Sequence, residues 1–227
     1  MIAVTFALPT ESSAFVRLLE GRTSGARESH TVSGSVNRRA VCLLHTGVGE
    51  KITRARMADF FRKQKPRLLI SAGFAGALDH RLGVGVVFVG QNFSDVEIAR
   101  ATKWPAAILA TTARVIETVG ERVQFARDTG AAAVDMETEC IAAACRAAGV
   151  PLLSLRVISD SPSDPLPAPA RILFDLHRQR TPALKLTGYL VRHPAAIPGL
   201  LRFGKRVPTL RQRLAEALVE ACAIEPR

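Results

Sequence analysis

The chain is poor in aromatic residues, with a single tryptophan and a single tyrosine among 227 residues. Modules that hold single-stranded nucleic acid use rows of aromatic side chains as stacking platforms, so that class is disfavoured despite a net charge of +11. Cysteine is scarce too. Cys42, Cys140, Cys145 and Cys222 are scattered without metal-type pairing, which excludes a disulfide-stapled scaffold and leads to the expectation of reduced thiols in a cytoplasmic protein. The five histidines are dispersed, and with no His or Cys partners at zinc spacing, no metal site is expected. No stretch approaches the roughly 18–20 apolar residues needed to cross a bilayer. The first ten residues lack a basic start and are expected to form a strand, not a signal peptide. Neither G-x-G-x-x-G after a strand nor G-x-x-x-x-G-K-[ST] occurs, so no cofactor is expected.

What is present points to one globular domain. The hydrophobic fraction of 48% is too high for disorder and sufficient for a sizeable core. Short apolar runs at 2–8, 40–45, 67–72, 84–90, 106–110, 131–135 and 151–159 predict strands, several of them apolar at nearly every position as in sheets covered on both faces. Between them, 11–19, 50–63, 112–129 and 136–148 carry helical spacing, the last ended by Gly149 and Pro151. This alternation predicts a three-layer α/β/α sandwich.

The last third changes character. After a turn-rich loop at 161–167, helical patterns run from about 168 to the end, with breaks expected at His193-Pro194 and Val207-Pro208. From Arg171 onward there are 11 Lys/Arg against 4 Asp/Glu, and no acid falls between Asp175 and Glu216. Such a block marks either a solvated tail or a surface for anionic lipid or nucleic acid. Residues 1–175 are expected to form the catalytic α/β portion, and 176–227 a basic helical extension of the same domain.

Three segments put glycines or acids where strands end, which is where open α/β sheets bind ligands. Thr46-Gly47-Val48-Gly49 opens into a helix whose N-terminus suits an anion or a hydroxyl-rich group. Ser71-Ala72-Gly73-Phe74-Ala75-Gly76 ends a strand in small residues that leave room for a flat ligand. Asp135-Met136-Glu137-Thr138-Glu139 crowds three acids at the end of a buried strand. The macrodipole accounts for one or two of them, but not for Ala-Ala-Ala-Val drawing Asp135 and Glu137 inward, where a carboxylate needs a partner. A fourth acid, Asp160, closes the apolar run Leu155-Arg156-Val157-Ile158-Ser159.

In order and spacing these four motifs resemble the nucleoside phosphorylase/nucleosidase superfamily, over roughly residues 1–175. The resemblance implies an α/β/α sandwich around a mixed, partly barrel-like sheet, assembled as a homo-oligomer. It implies that Met136 and Glu137 hold the ribose and that Ala75, Gly76 and Ser159 line the nucleoside pocket. Asp160 would meet the purine at N7 and the 6-amino group, which points to adenine. Glu11 falls where the nucleosidases carry the acid that orients water. Gly47, Val48 and Gly49 would form an anion or 5′-side loop. Cleaving an N-glycosidic bond develops cationic sugar and anionic base; Asp160 would then need a proton kept by burial, and Glu137 would act as an ionised partner of the sugar. Asp160→Asn is expected to abolish turnover while largely preserving the fold.

After the first strand comes Ala7-Leu8-Pro9-Thr10-Glu11, without the Gly-Asp-x-x-Arg loop by which many family phosphorylases hold phosphate. That favours water as nucleophile, with phosphate as the alternative co-substrate. The Asp-Met-Glu-Thr-Glu form and the basic, proline-broken C-terminus resemble the hopanoid-associated phosphorylases, which implies release of adenine from adenosylhopane and peripheral contact with the inner membrane face through 185–213. The alternatives are a methylthioadenosine/S-adenosylhomocysteine nucleosidase and, from another class, a non-catalytic binder of nucleic acid or membrane surfaces.

Overall fold

A computed structural model describes residues 1–173 and 183–224. The elements in chain order are β1 (Ile2–Phe6), α1 (Pro9–Leu18), β2 (Glu20–Ser24), β3 (Thr31–Val36), β4 (Arg39–His45), α2 (Glu50–Lys63), β5 (Leu68–Ala77), β6 (Val87–Gly90), α3 (Val96–Arg100), β7 (Ala106–Ala107), β8 (Leu109–Thr111), α4 (Val119–Thr129), β9 (Ala133–Asp135), α5 (Thr138–Ala148), β10 (Leu152–Asp160), α6 (Ala170–Leu173), α7 (Ala183–Arg192) and α8 (Ile197–Ala221). The boundary expected at 175–176, and Arg178 and Arg180 of the basic block, lie outside the described residues.

The strands join one mixed sheet in the order β2-β3-β4-β1-β5-β10-β6-β7. Its centre, β4-β1-β5-β10, is parallel. The far end of β5 leaves this plane to pair antiparallel with β9, which in turn pairs with β8, giving the partly closed, barrel-like side. Alternation along each central strand sorts side chains onto two layers. Ile2, Val4 and Phe6 of β1, with Leu68 and Ile70 of β5 and Leu153 and Leu155 of β10, pack against Phe15 of α1 and Leu214 and Leu218 of α8. Ala3, Leu69 and Leu152 point the other way, against Met57 and Phe60 of α2 and Ile141 and Cys145 of α5. Both faces are covered, which is why these strands read as continuous apolar runs.

Three sequence expectations change, and one hairpin was missed. The β2–β3 hairpin was not legible: β2 is exposed at every position, so no burial pattern marks it. Its partner β3 returns to β4 through Asn37 and Arg38, both at positive φ (50° and 61°), the geometry of a two-residue type I′ turn. The run 106–110 divides into β7, which pairs with β6, and β8, which pairs with β9. The helix expected over 112–129 starts only at Val119, capped by the Thr118 hydroxyl accepting the Glu121 N–H; residues 112–117 instead form a loop over the site. Finally, the break at His193-Pro194 occurs, whereas α8 runs straight through Pro208. A proline there frees only the carbonyl of Gly204, an exposed residue whose oxygen can turn to water.

Candidate active site

The C-terminal ends of β1, β5 and β10 and the β9–α5 junction open on one cleft of about 1080 Å³. Its wall includes Glu11, Val48, Ala75, Gly76, Met136, Glu137, Ser159 and Asp160, so acids distant in sequence share one space. Gly47 and Gly49 stand just behind Val48 and do not face the cleft.

Each acid has its own environment. Asp135, only 6% exposed, faces Arg156 across 3.0 Å and accepts hydrogen bonds from the Thr111 hydroxyl (2.9 Å) and the Thr138 N–H (3.3 Å). It is a satisfied structural carboxylate. Among the described residues no salt bridge reaches Glu137, although the charge of Arg156 acts on it. Its Oε1 accepts the Gly49 N–H at 3.2 Å, so the glycine loop, bent by φ of 90° at Gly49, spends its amide on a protein carboxylate. Burial above all, then the charge of Asp135, pushes Glu137 up to about 8. The shift favours the protonated carboxyl at neutral pH in this geometry.

That shift is also a stability statement. The unfolded chain releases this proton near 4.5 while the fold retains it to about 8, so stability falls as pH rises through that window. Each pKa unit is worth about 1.4 kcal/mol, reduced here because the carboxyl borders an open cleft. Glu137→Gln is expected to remove a slope totalling ~2 kcal/mol, read as chemical-denaturation stability at pH 5 and pH 8. An unchanged slope would discount the shift.

Glu11 lies in the first turn of α1, its Oε2 accepting the Leu8 N–H at 3.1 Å. Burial raises its pKa, opposed by the Leu8 and Phe74 backbone and by the positive charges of Arg156 and Arg211. Glu11 and Glu137 also line a second, much smaller chamber of about 20 Å³ with Thr5, Ser71 and Arg156. A polar space of at least roughly 10–15 Å³ holds one water. The Thr5 hydroxyl, fully buried there, has no hydrogen-bond partner among the described residues, and a water in the chamber would satisfy it.

Asp160 is 5% exposed. Its Oδ1 accepts the Ser159 hydroxyl at 2.6 Å and its Oδ2 the Arg122 guanidinium. Gly76 leaves room beneath it: a Cβ there would sit 3.3 Å from Asp160 Oδ2 and 3.4 Å from Arg122 Nη1, so that the carboxylate would have to give by a few tenths of an ångström.

Sequence inspection missed Arg122, Arg156, Ser71 and Thr5 as site residues. Arg156 carried a usable signal, because a cation in a nine-residue strand buried throughout must have a partner. Arg122 carried none; it sits on a short polar helix between Glu121 and Val123, with nothing in the local pattern to mark it as buried.

The outer wall of the cleft is apolar and comes from the C-terminal helices, with Leu186 and Leu190 of α7 and Ile197, Leu200, Phe203 and Val207 of α8. Carboxylates delivered by the ends of a parallel sheet to a deep, half-apolar cleft define an α/β ligand-binding protein of the kind that works at strand C-termini. The model of the phosphorylase superfamily matches residues 1–108 and 106–186, and the chain belongs to that superfamily. Among solved structures, the chain is similar to the 5′-methylthioadenosine/S-adenosylhomocysteine nucleosidase of Streptococcus pneumoniae with a transition-state inhibitor, at a TM-score of 0.72 and 17% identity over 97% of each chain. It is also similar to the S-adenosylhomocysteine nucleosidase of Streptococcus pyogenes, at 0.72 and 17% over 100% of this chain and 97% of that one, and to the Campylobacter jejuni nucleosidase, at 0.71 and 17% over 97% of each. At this identity the likeness is one of fold.

Proposed function

We propose that the protein cleaves the N-glycosidic bond of a 5′-substituted adenosine and releases adenine. The observation that carries this is the meeting of Glu11, Glu137 and Asp160, from three distant segments, in one cleft with a water-sized chamber between the first two. Glu137 and Met136 take the ribose, and Asp160 with Ser159 takes the imidazole edge and amino group of the base over Ala75 and Gly76. Glu11, its basicity raised by burial, takes a proton from the chamber water as the oxygen attacks C1′. A chamber of about 20 Å³ favours water over phosphate as the nucleophile.

The cleft supports a finer statement. At about 1080 Å³ it reaches the top of the roughly 300–1,000 Å³ range of small-molecule sites, and the part beyond the carboxylates is walled by α7 and α8 side chains. That suits a long apolar 5′ group, as in a lipid nucleoside such as adenosylhopane. Adenine release from methylthioadenosine, S-adenosylhomocysteine and an adenosine bearing a polycyclic hydrocarbon at C5′, each with and without inorganic phosphate, tests both levels. Release from none of them would end the enzymatic reading. A kcat/KM highest for methylthioadenosine would end the lipid one, and a strict need for phosphate would end hydrolysis.

The same helices support a peripheral membrane contact. Val191 and Leu201 are 78% and 61% exposed, beside the exposed Arg192, Arg202 and Lys205, a pairing of apolar and cationic groups suited to an anionic bilayer. No helix among the described residues is long and apolar enough to cross a membrane. Deleting the whole tail would not test this, since Leu210, Leu214 and Leu218 of α8 belong to the core. Val191→Glu with Arg202→Glu is expected to reduce co-flotation with phosphatidylglycerol vesicles at least tenfold; unchanged flotation would remove the surface.

A further inference from the structure

Arg122 is buried to 2% exposure on a helix whose other charged groups reach solvent. Its Nη1 donates to the Ala77 carbonyl at 2.8 Å and its Nη2 to Asp160 Oδ2, and Nε has no partner among the described residues. Taking a guanidinium out of water costs several kcal/mol, and a buried ion pair is commonly no more stabilising than an apolar pair of the same size. Fold stability alone therefore gives no reason for it. The side chain borders the cleft beside Gly76, Ser159 and Asp160, behind the place assigned to the base.

Resting on the adenine-releasing reading, we propose that Arg122 is a positioning residue for the leaving group. It pins Asp160 against Ser159 and sets a permanent cation behind the imidazole edge of the purine. When the C1′–N9 bond breaks, both electrons leave with adenine, the water oxygen bonds to C1′, and the water proton passes to Glu11. The negative charge on the base is held in the field of Arg122 until N7 receives one proton relayed from solvent by way of Asp160, and Glu11 then returns the water proton to solvent, so that protons balance over the cycle. Adenine and the free pentose are the products, and no further reactant enters. The charge develops in a dry site with the cation already in place, which is where such an arrangement has most effect.

The test separates help to the leaving group from help to the fold. Arg122→Gln and Arg122→Lys are compared with wild type on methylthioadenosine and on p-nitrophenyl β-D-riboside, whose leaving anion needs no assistance. Removing one preorganised donor of this kind costs roughly 10²–10³ in kcat. We expect Arg122→Gln to lower kcat for adenine release about 100-fold with KM changed less than about 5-fold, and p-nitrophenolate release less than about 5-fold. Arg122→Lys, which keeps the charge, should recover about tenfold of the loss, and it decides the matter if the glutamine variant does not fold. Parallel losses on both substrates, or no loss on either, would overturn the role of Arg122. Failure of the wild type to release adenine would overturn the functional reading itself.

Discussion

Asp160→Asn is expected to lower adenine release by at least 10³, within the range of about 10²–10⁴ for removal of a positioned acid or base. An amide at this position neither carries a proton to N7 nor matches the charge of Arg122. The second consequence is structural and departs from what the sequence suggests. Asp160 is the carboxylate partner of a guanidinium with 2% exposure, and breaking one side of a buried pair costs about 3–5 kcal/mol. The asparagine oxygen can still accept one hydrogen bond, so a loss near the lower end, ~3 kcal/mol, is expected. Adding Arg122→Gln to Asp160→Asn should return much of the stability and none of the activity. The measurements are adenine release and the urea midpoint on the same preparations. Activity within tenfold of wild type would take Asp160 out of the mechanism.

Glu11→Gln is the other variant of large expected effect, a fall in kcat of about 10³ with little change in the affinity for substrate. Glutamine keeps the acceptor for the Leu8 N–H that caps α1, so the helix start survives while the proton acceptor is lost. Because burial raises the Glu11 pKa, wild-type activity should also decline on acidification at a pH above the ordinary glutamate value, and that limb should be missing in the variant. A Glu11→Gln enzyme with wild-type kcat would assign the water to another base. Glu137 would then be the candidate, since both side chains line the small chamber.

The strands of the central sheet were legible because each is buried on both faces and so carries an unbroken apolar run. The hairpin β2–β3 was not, because an exposed edge strand takes its conformation from pairing with a neighbour and not from its own side chains. The same division holds in the site. Gly76, Glu137 and Asp160 stood out as small or charged residues at the ends of apolar runs, where burial demands an explanation. Arg122 lies 38 positions before Asp160 in the chain, and nothing near it in sequence says which way it points.

The order of layers, the glycine loop, the acids at strand ends and the basic, acid-free stretch near the C-terminus were all determined by the sequence alone, since each follows from local composition and period. Tertiary structure alone decided which acid is free to meet a ligand. Asp135 and Glu137 are two residues apart at the same strand end, yet among the described residues only Asp135 of the two forms a salt bridge, because Arg156 reaches it from β10. It also decided that α7 and α8 complete the cleft with an apolar wall. Pairing of charges and closure of a cavity depend on distances between remote segments, and those distances exist only once the sheet has formed.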